Sequence, residues 1–199
     1  MSTRGFVGFV ADGRETIVGT RWDSYPECLG VSVVEFARAV HDWSRVRASA
    51  AALVHLDDET AEDLIIDSTP ASEADVHRKR GWPDSFQPYD INQVCPSQLL
   101  ADGCVWHLPN WPGTSIWCQW GYLFDLDQNV LEIYYGAPIT RTAPAEGRFH
   151  DRISEWENDH PVEILATYSL SELPDRESFV RTLNDLADRR NQPDTERVG

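Results

Sequence analysis

The sequence predicts an α+β fold in which helices pack against a mainly antiparallel sheet built on two β-hairpins. Two pairs of apolar segments, each flanking a short turn, predict hairpins at about residues 5–21 and 115–136. Apolar residues at helical spacing predict helices after the first hairpin and near the end of the chain. A chain of 199 residues with 41% hydrophobic content can bury one core. We therefore expect one domain over 1–190 and a polar, flexible tail over 191–199.

The first hairpin is predicted from the segments GFVGFVAD and ETIVGTRW. The turn residues Asp12 and Gly13 are typical of a two-residue turn, because both tolerate the positive φ angles that it needs. This turn places Gly8 opposite Ile17 and makes both faces of the hairpin apolar. The two faces carry Phe6, Val10 and Ile17, and Val7, Phe9 and Val18. A hairpin that is apolar on both faces is expected to lie between two layers.

Helices are predicted after this hairpin. A single helix over 33–47 is predicted from an apolar stripe at helical spacing. The stripe consists of Val33, Phe36, Val40 and Trp43. A second helix is predicted over 58–66, since acidic residues are favoured at the start of a helix. The segment 67–92 contains three prolines and no sustained period, so we predict an irregular connection there.

The second hairpin contains the turn DLDQN, whose Asp125 begins a partial match to an EF-hand calcium loop. The match fails because Val130 stands in place of the glycine and Gly136 in place of the bidentate glutamate. We therefore predict a turn without calcium. A further strand is predicted over 162–170. The last helix is predicted to begin near Asp175, a good N-cap, with one apolar face formed by Phe179, Leu183 and Leu186.

The formal net charge of −16 is spread evenly, with nets of −5, −6 and −5 over 1–66, 67–133 and 134–199. An acidic surface repels nucleic acid, so we expect no nucleic-acid partner. No run approaches the about 20 apolar residues that cross a bilayer, and we expect no membrane association. The first residues lack the pattern of a secretory signal, which predicts a cytoplasmic location.

The four cysteines form no C-x-x-C pair. Cys95, Cys104, His107 and Cys118 would provide four zinc ligands, but structural zinc sites usually take their ligands in close pairs. We interpret the cysteines as buried, reduced thiols and predict neither a metal site nor a cofactor.

Four landmarks in the sequence resemble a family of small phage and bacterial proteins. They are STRGFVGF at the start, RWDSYPECLG after the second strand, WGYLFDLDQNVLEIYYG in the middle and PVEILATYSLSELPD near the end. They occur in the same order over most of the chain, and 48–110 contributes little. The resemblance implies a shared fold and carries no known activity.

The chain also departs from that family. In its members the second strand ends in a run similar to Cys-His-Trp-Asp-Gly-Tyr-Pro. Here Thr20, Arg21 and Ser24 replace the cysteine, the histidine and the glycine. Chemistry that needs that Cys–His pair is therefore absent from this chain. The second residue of these relatives is serine, glycine or alanine before Thr-Arg, which weakens an argument for Ser2 as a nucleophile.

One catalytic hypothesis places an N-terminal nucleophile at Ser2. In such amidohydrolases the hydroxyl of the first residue attacks an amide and its own α-amine serves as the base. Arg4 or Arg21 would bind a substrate carboxylate, and Asp23 would orient the amine. The alternative is that residues 2–4 are simply the start of a strand, and we assign no catalytic residue.

The run RWDSYP predicts either a ligand-binding corner or a structural lock between strand and helix. An arginine beside an aspartate and aromatic rings can bind a small ligand, and short polar side chains in a turn can equally bond the backbone. The sequence leaves these alternatives open. The tryptophans and histidine of 106–120 are either core or a second part of such a site. The predicted ligand-binding residues are Arg21, Trp22, Asp23, Tyr25, Trp106 and His107.

Together these observations favour a cytoplasmic, phage-type accessory or interaction protein that acts by binding an unknown protein or small molecule. The first alternative is an amidohydrolase that uses Ser2. The second is a binder of a small aromatic or sugar ligand through a pocket of tryptophan, arginine and aspartate side chains.

Overall fold

A computed structural model describes most of the chain and shows an α+β fold, as predicted. The described ranges are 3–56, 94–136, 147–152 and 160–191. Several predicted features lie outside these ranges. They are Ser2, the helix at 58–66, the irregular connection at 67–92 and the tail after residue 191.

The first hairpin forms with the predicted register. Strand β1 (Gly5–Ala11) pairs antiparallel with β2 (Arg14–Thr20), and Gly8 lies opposite Ile17. The turn residues Asp12 and Gly13 have φ angles of 54° and 73°. Both angles are positive, as a tight turn that follows the twist of the strands requires.

The second hairpin consists of β5 (Trp120–Asp125) and β6 (Val130–Tyr135). This hairpin begins at Trp120, later than the predicted start at residue 115. Strand β7 (Glu163–Ser169) confirms the strand predicted over 162–170 and pairs antiparallel with β6. The five strands have the order β2-β1-β5-β6-β7. Strands β1 and β5 run parallel, so the two hairpins meet at a parallel seam in a mostly antiparallel sheet.

The predicted EF-hand-like run is a turn. The Asp125 carboxylate accepts backbone N–H groups of Asp127 and Gln128 at 3.0 and 2.8 Å. Asp127 in turn accepts the N–H groups of Asp12 and Gly13 at 3.0 and 2.8 Å, which joins the turns of the two hairpins. These acidic oxygens therefore bind backbone amides in the folded chain.

The prediction of a single helix over 33–47 is wrong. A π-helical turn (Pro26–Gly30) leads into α1 (Val31–Ala39), and a separate helix, α2, covers Trp43–Ala51. Between them Val40 is extended, and the Asp42 side chain accepts the N–H of Ser44 at 3.0 Å. Asp42 is thus the N-cap of a new helix. The helix breaks before it, although the apolar stripe continues through Val40 to Trp43.

A small second sheet lies beside the main one. Strand β3 (Val54–Leu56) pairs parallel with β4 (Cys104–Trp106), which follows helix α3 (Pro96–Asp102). The last helix, α4 (Arg176–Asn191), begins as predicted, because Asp175 accepts the N–H of Ser178 at 2.9 Å. None of the helices in the described ranges is long and apolar enough to cross a bilayer.

Both faces of the sheet are covered, which confirms that the first hairpin lies between two layers. On one face Val7, Phe9 and Val18 join a core with residues of all four described helices. On the other face Phe6, Val10 and Ile17 form a second, smaller core. The remaining buried members of the second core are Cys118, Leu123, Tyr134, Phe149 and Val162.

The second face also contains a buried charge cluster. Asp125, which is 1% exposed, pairs with Arg148, and the Arg148 Nε also donates to Glu132 at 3.3 Å. The Tyr134 hydroxyl donates to the same Glu132 at 2.7 Å. The paired carboxylates raise the pKa of Arg148, against the effect of its burial. This cluster fixes the segment around Arg148 to the sheet.

Candidate functional site

The turn that follows β2 is fixed to the first strand. The N–H of Ser24 donates to the Thr3 carbonyl at 3.2 Å, and its hydroxyl donates to the Arg4 carbonyl at 2.9 Å. Asp23 has a φ of 52°, and its carbonyl accepts the N–H of Leu29 at 3.1 Å. The predicted lock, in which the Asp23 and Ser24 side chains bond backbone amides, is met only in part: the Ser24 hydroxyl bonds a backbone carbonyl, and the Asp23 carboxylate accepts the Tyr25 hydroxyl.

The same turn forms the wall of a cavity of about 340 Å³. The cavity lies where the end of β2, the π-helical turn, the start of α1 and the residues before α3 meet. It is lined by Thr20, Trp22, Asp23, Cys28, Leu29, Ser32, Val94 and Cys95. Its volume lies within the range of small-molecule sites, about 300–1,000 Å³. Ser24 thus holds the turn to the start of the chain, while Trp22 and Asp23 of the same turn line the cavity.

The chemistry of the cavity wall is acidic and aromatic. The Trp22 side chain is 50% exposed, which is unusual for an indole. The Asp23 carboxylate accepts the Tyr25 hydroxyl at 3.3 Å. Among the described residues that line the cavity, none is basic. The wall therefore offers one carboxylate and one aromatic surface to a bound molecule.

Two thiols also line this cavity, and sequence reasoning missed both. The Sγ of Cys95 lies 3.1 Å from the Ser97 Oγ, and the Ser32 hydroxyl donates to it at 3.6 Å. Burial opposes ionisation of Cys95, but the hydrogen bonds from Ser97 and Ser32 outweigh it and lower the pKa of the thiol. Burial and the nearby charges of Asp23 and Glu27 raise the pKa of Cys28.

The four thiols differ in their surroundings. Cys104 and Cys118 are buried, as predicted, and burial raises the pKa of Cys104 to about 12. The prediction is wrong for Cys28, which is exposed, and Cys95 is half-buried. In the parts of the chain that the structure describes, no three His, Cys, Asp or Glu side chains group closely enough to hold a metal ion.

Several predicted ligand-binding residues lie away from the cavity. Arg21 is exposed, and Tyr25 contacts the cavity wall through the Asp23 carboxylate and through its own carbonyl, which accepts the N–H of Cys28 at 3.1 Å. Trp106 ends strand β4, and the Nδ1 of His107 accepts the N–H of Ile17 at 3.0 Å on the outer edge of β2. A binding role for these four side chains stays a prediction.

His107 belongs to a pair that the sequence did not reveal. Its ring centre lies 4.1 Å from that of His55, and the His55 Nε2 lies 2.8 Å from the Thr16 hydroxyl. Burial lowers the pKa of His55 to about 4, helped by the charges of His107 and Arg14. Burial also lowers the pKa of His107. Both rings are therefore neutral hydrogen-bonding groups that hold β2 to the small sheet.

The residues of the amidohydrolase hypothesis have other roles in the described structure. The Arg4 guanidinium stacks 4.2 Å from the centre of the Trp117 ring, on the surface.

The other tryptophans of this region differ in their burial. Trp120 is 4% exposed, and the Trp111 indole donates to the Gly5 carbonyl at 3.0 Å. The tryptophans of 106–120 are thus divided between core and surface. Because Ser2 lies outside the described residues, its role stays a prediction.

Comparisons with known proteins add no family to this description. No protein-family model, curated protein or solved structure matches the chain.

Proposed function

We propose that this protein acts by binding, and that the cavity beside Trp22 and Asp23 takes a small ligand with a cationic nitrogen and an apolar or aromatic body. The observation that carries the proposal is the half-exposed Trp22 indole beside the Asp23 carboxylate on the wall of a cavity of about 340 Å³. A cavity of this size, with a few polar groups among apolar ones, is typical of a small-molecule site.

The cationic part of the ligand follows from the charge of the wall. Asp23 supplies a carboxylate, and Glu27 lies close enough to act on Cys28 at the same cavity. With no basic side chain among the described lining residues, an anionic ligand would meet an uncompensated negative charge. An ammonium or guanidinium group would instead gain an ion pair and a cation–π contact with an indole.

The apolar part of the ligand follows from the other lining residues. Leu29 and Val94 supply aliphatic surface, whereas the hydroxyls of Thr20 and Ser32 supply hydrogen-bonding groups. Displacement of water from the aliphatic and indole surface favours binding by about 25 cal/mol per Å². We therefore expect aromatic amines to bind more tightly than sugars of the same size.

A fluorescence titration tests the proposal. Full-length protein is titrated with a panel of aromatic amines, guanidines and sugars while tryptophan emission is followed. Trp22→Ala is expected to remove the emission change, and Asp23→Asn to weaken binding of amines by about tenfold or more, since it removes a charge-assisted contact. Asparagine tolerates the positive φ of this position, so Asp23→Asn should fold normally.

The matched control is Trp117→Ala, which removes an exposed indole on another part of the surface. The control should bind as the wild type does. If Trp117→Ala weakens binding and Trp22→Ala does not, the proposed site is wrong. If sugars bind and amines do not, the proposed ligand class is wrong.

A further inference from the structure

Two thiols and a serine hydroxyl, from Cys28, Cys95 and Ser32, line the cavity. Cys28 lies in the π-helical turn, and Ser32 lies about one helical turn later on the same side of that segment. The Ser32 hydroxyl donates to the Sγ of Cys95 at 3.6 Å, and the Ser97 Oγ lies 3.1 Å from the same sulfur. Cys28, Ser32 and Cys95 thus line one cavity.

The two thiols are chemically unequal. The hydrogen bonds to Cys95 stabilise its thiolate, and thiolates are the nucleophiles in disulfide exchange. Cys28 is more exposed, and its acidic neighbours Asp23 and Glu27 disfavour its thiolate. Such a pair has one thiol suited to react first and a second, more accessible thiol on the wall of the same cavity.

We infer that Cys95 and Cys28 form a reactive thiol pair, which exchanges with a low-molecular-weight disulfide that enters the cavity. The Cys95 thiolate attacks one sulfur of the disulfide RSSR, forms a Cys95–S–S–R bond and releases RS⁻. Cys28 loses its proton to solvent, attacks the Cys95 sulfur, forms the Cys28–Cys95 disulfide and releases the second RS⁻. The small disulfide is reduced to two thiols while the protein loses two electrons.

Intact mass spectrometry of the full chain tests this inference, with cystamine as the probe because this disulfide is cationic and the cavity wall is acidic. The wild type should lose the mass of two hydrogen atoms, and peptide mapping should locate the new disulfide between Cys28 and Cys95. Cys28→Ser should instead accumulate one cysteamine on Cys95. Cys95→Ser should react at Cys28 at least about tenfold more slowly than Cys28→Ser reacts at Cys95. The buried Cys104→Ala is the matched control and should react as the wild type does.

Two results would overturn the inference. One is equal reaction rates for Cys28→Ser and Cys95→Ser, which would remove the distinction between the thiols. The other is a wild-type protein that keeps a cysteamine on Cys95, which would show that Cys28 does not reach it. The inference rests on the cavity and not on its ligand. Failure of the thiol reaction would leave the Trp22 titrations unaffected, and absence of amine binding would leave the reaction unaffected.

Discussion

The stacked rings of His55 and His107 predict that acid destabilises this protein. The Nδ1 of His107 accepts a hydrogen bond from the N–H of Ile17, so this nitrogen carries no proton in the folded state. Protonation would remove that acceptor on the edge of β2. It would also place positive charge 4.1 Å from the His55 ring. Both effects oppose protonation of the folded protein.

The magnitude follows from His55. An unfolded histidine titrates near 6.5, whereas the pKa of His55 in the fold is about 4. Between these values the unfolded state binds a proton that the folded state does not, so the free energy of unfolding falls as the pH falls. At about 1.4 kcal/mol per pH unit, titration over the whole interval from 6.5 to about 4 would lower the free energy of unfolding by ~3.4 kcal/mol. Because solvent screens the partly exposed ring, we expect a smaller loss of ~1–2 kcal/mol.

Urea unfolding followed by tryptophan emission, at about pH 7 and about pH 4.5, measures this loss. His55→Gln keeps a hydrogen-bonding group for Thr16 and cannot be protonated. The wild type should lose ~1–2 kcal/mol more than His55→Gln between the two pH values. His41→Gln, at an exposed side chain, controls for removal of a histidine as such. An equal loss in the wild type and His55→Gln would refute the reasoning, since carboxylates titrate in both.

Two further substitutions test the second core. Arg148→Met removes the cation that pairs with Asp125, which is 1% exposed. In urea at neutral pH this change should lower the free energy of unfolding by ~3 kcal/mol. A loss below ~1 kcal/mol would show that the hydrogen bonds from backbone N–H groups are enough to stabilise the buried Asp125 carboxylate. Gly121→Ala would place a methyl carbon 2.0 Å from the Phe6 Cε1 and should cost ~1–3 kcal/mol in thermal unfolding. A Gly121→Ala protein as stable as the wild type would mean that the Phe6 ring moves aside freely.

The sequence predicted those parts of the fold that depend on neighbouring residues. The register of the first hairpin followed from Asp12 and Gly13, because a two-residue turn leaves one pairing between its strands. The start of α4 followed from Asp175 for a similar local reason. The break between α1 and α2 was missed because the apolar period continues across it. Asp42 was the local signal that could have located it.

Features that depend on distant residues could not be read from the sequence. Nothing in the pattern of β1 indicates that it pairs with β5 across the middle of the sheet. The candidate site divides in the same way. Trp22 and Asp23 were identified from the composition of one turn, whereas Cys28 and Cys95 line the same cavity only because α1 and α3 pack together. A cavity between elements leaves no trace in the spacing of its lining residues.

The parallel seam between β1 and β5 has a consequence for the newly made chain. The β1–β2 hairpin is local and forms within about 1–10 μs. Its partner strand β5 is synthesised roughly a hundred residues later, which takes roughly 5–20 s at ribosomal rates of about 5–20 residues per second. During this interval the face with Phe6, Val10 and Ile17 is uncovered, because the other buried members of its core come later in the chain, and the hairpin also has an unpaired edge. The nascent chain is therefore most exposed to aggregation, and most in need of a chaperone, before the middle of the sequence has left the ribosome.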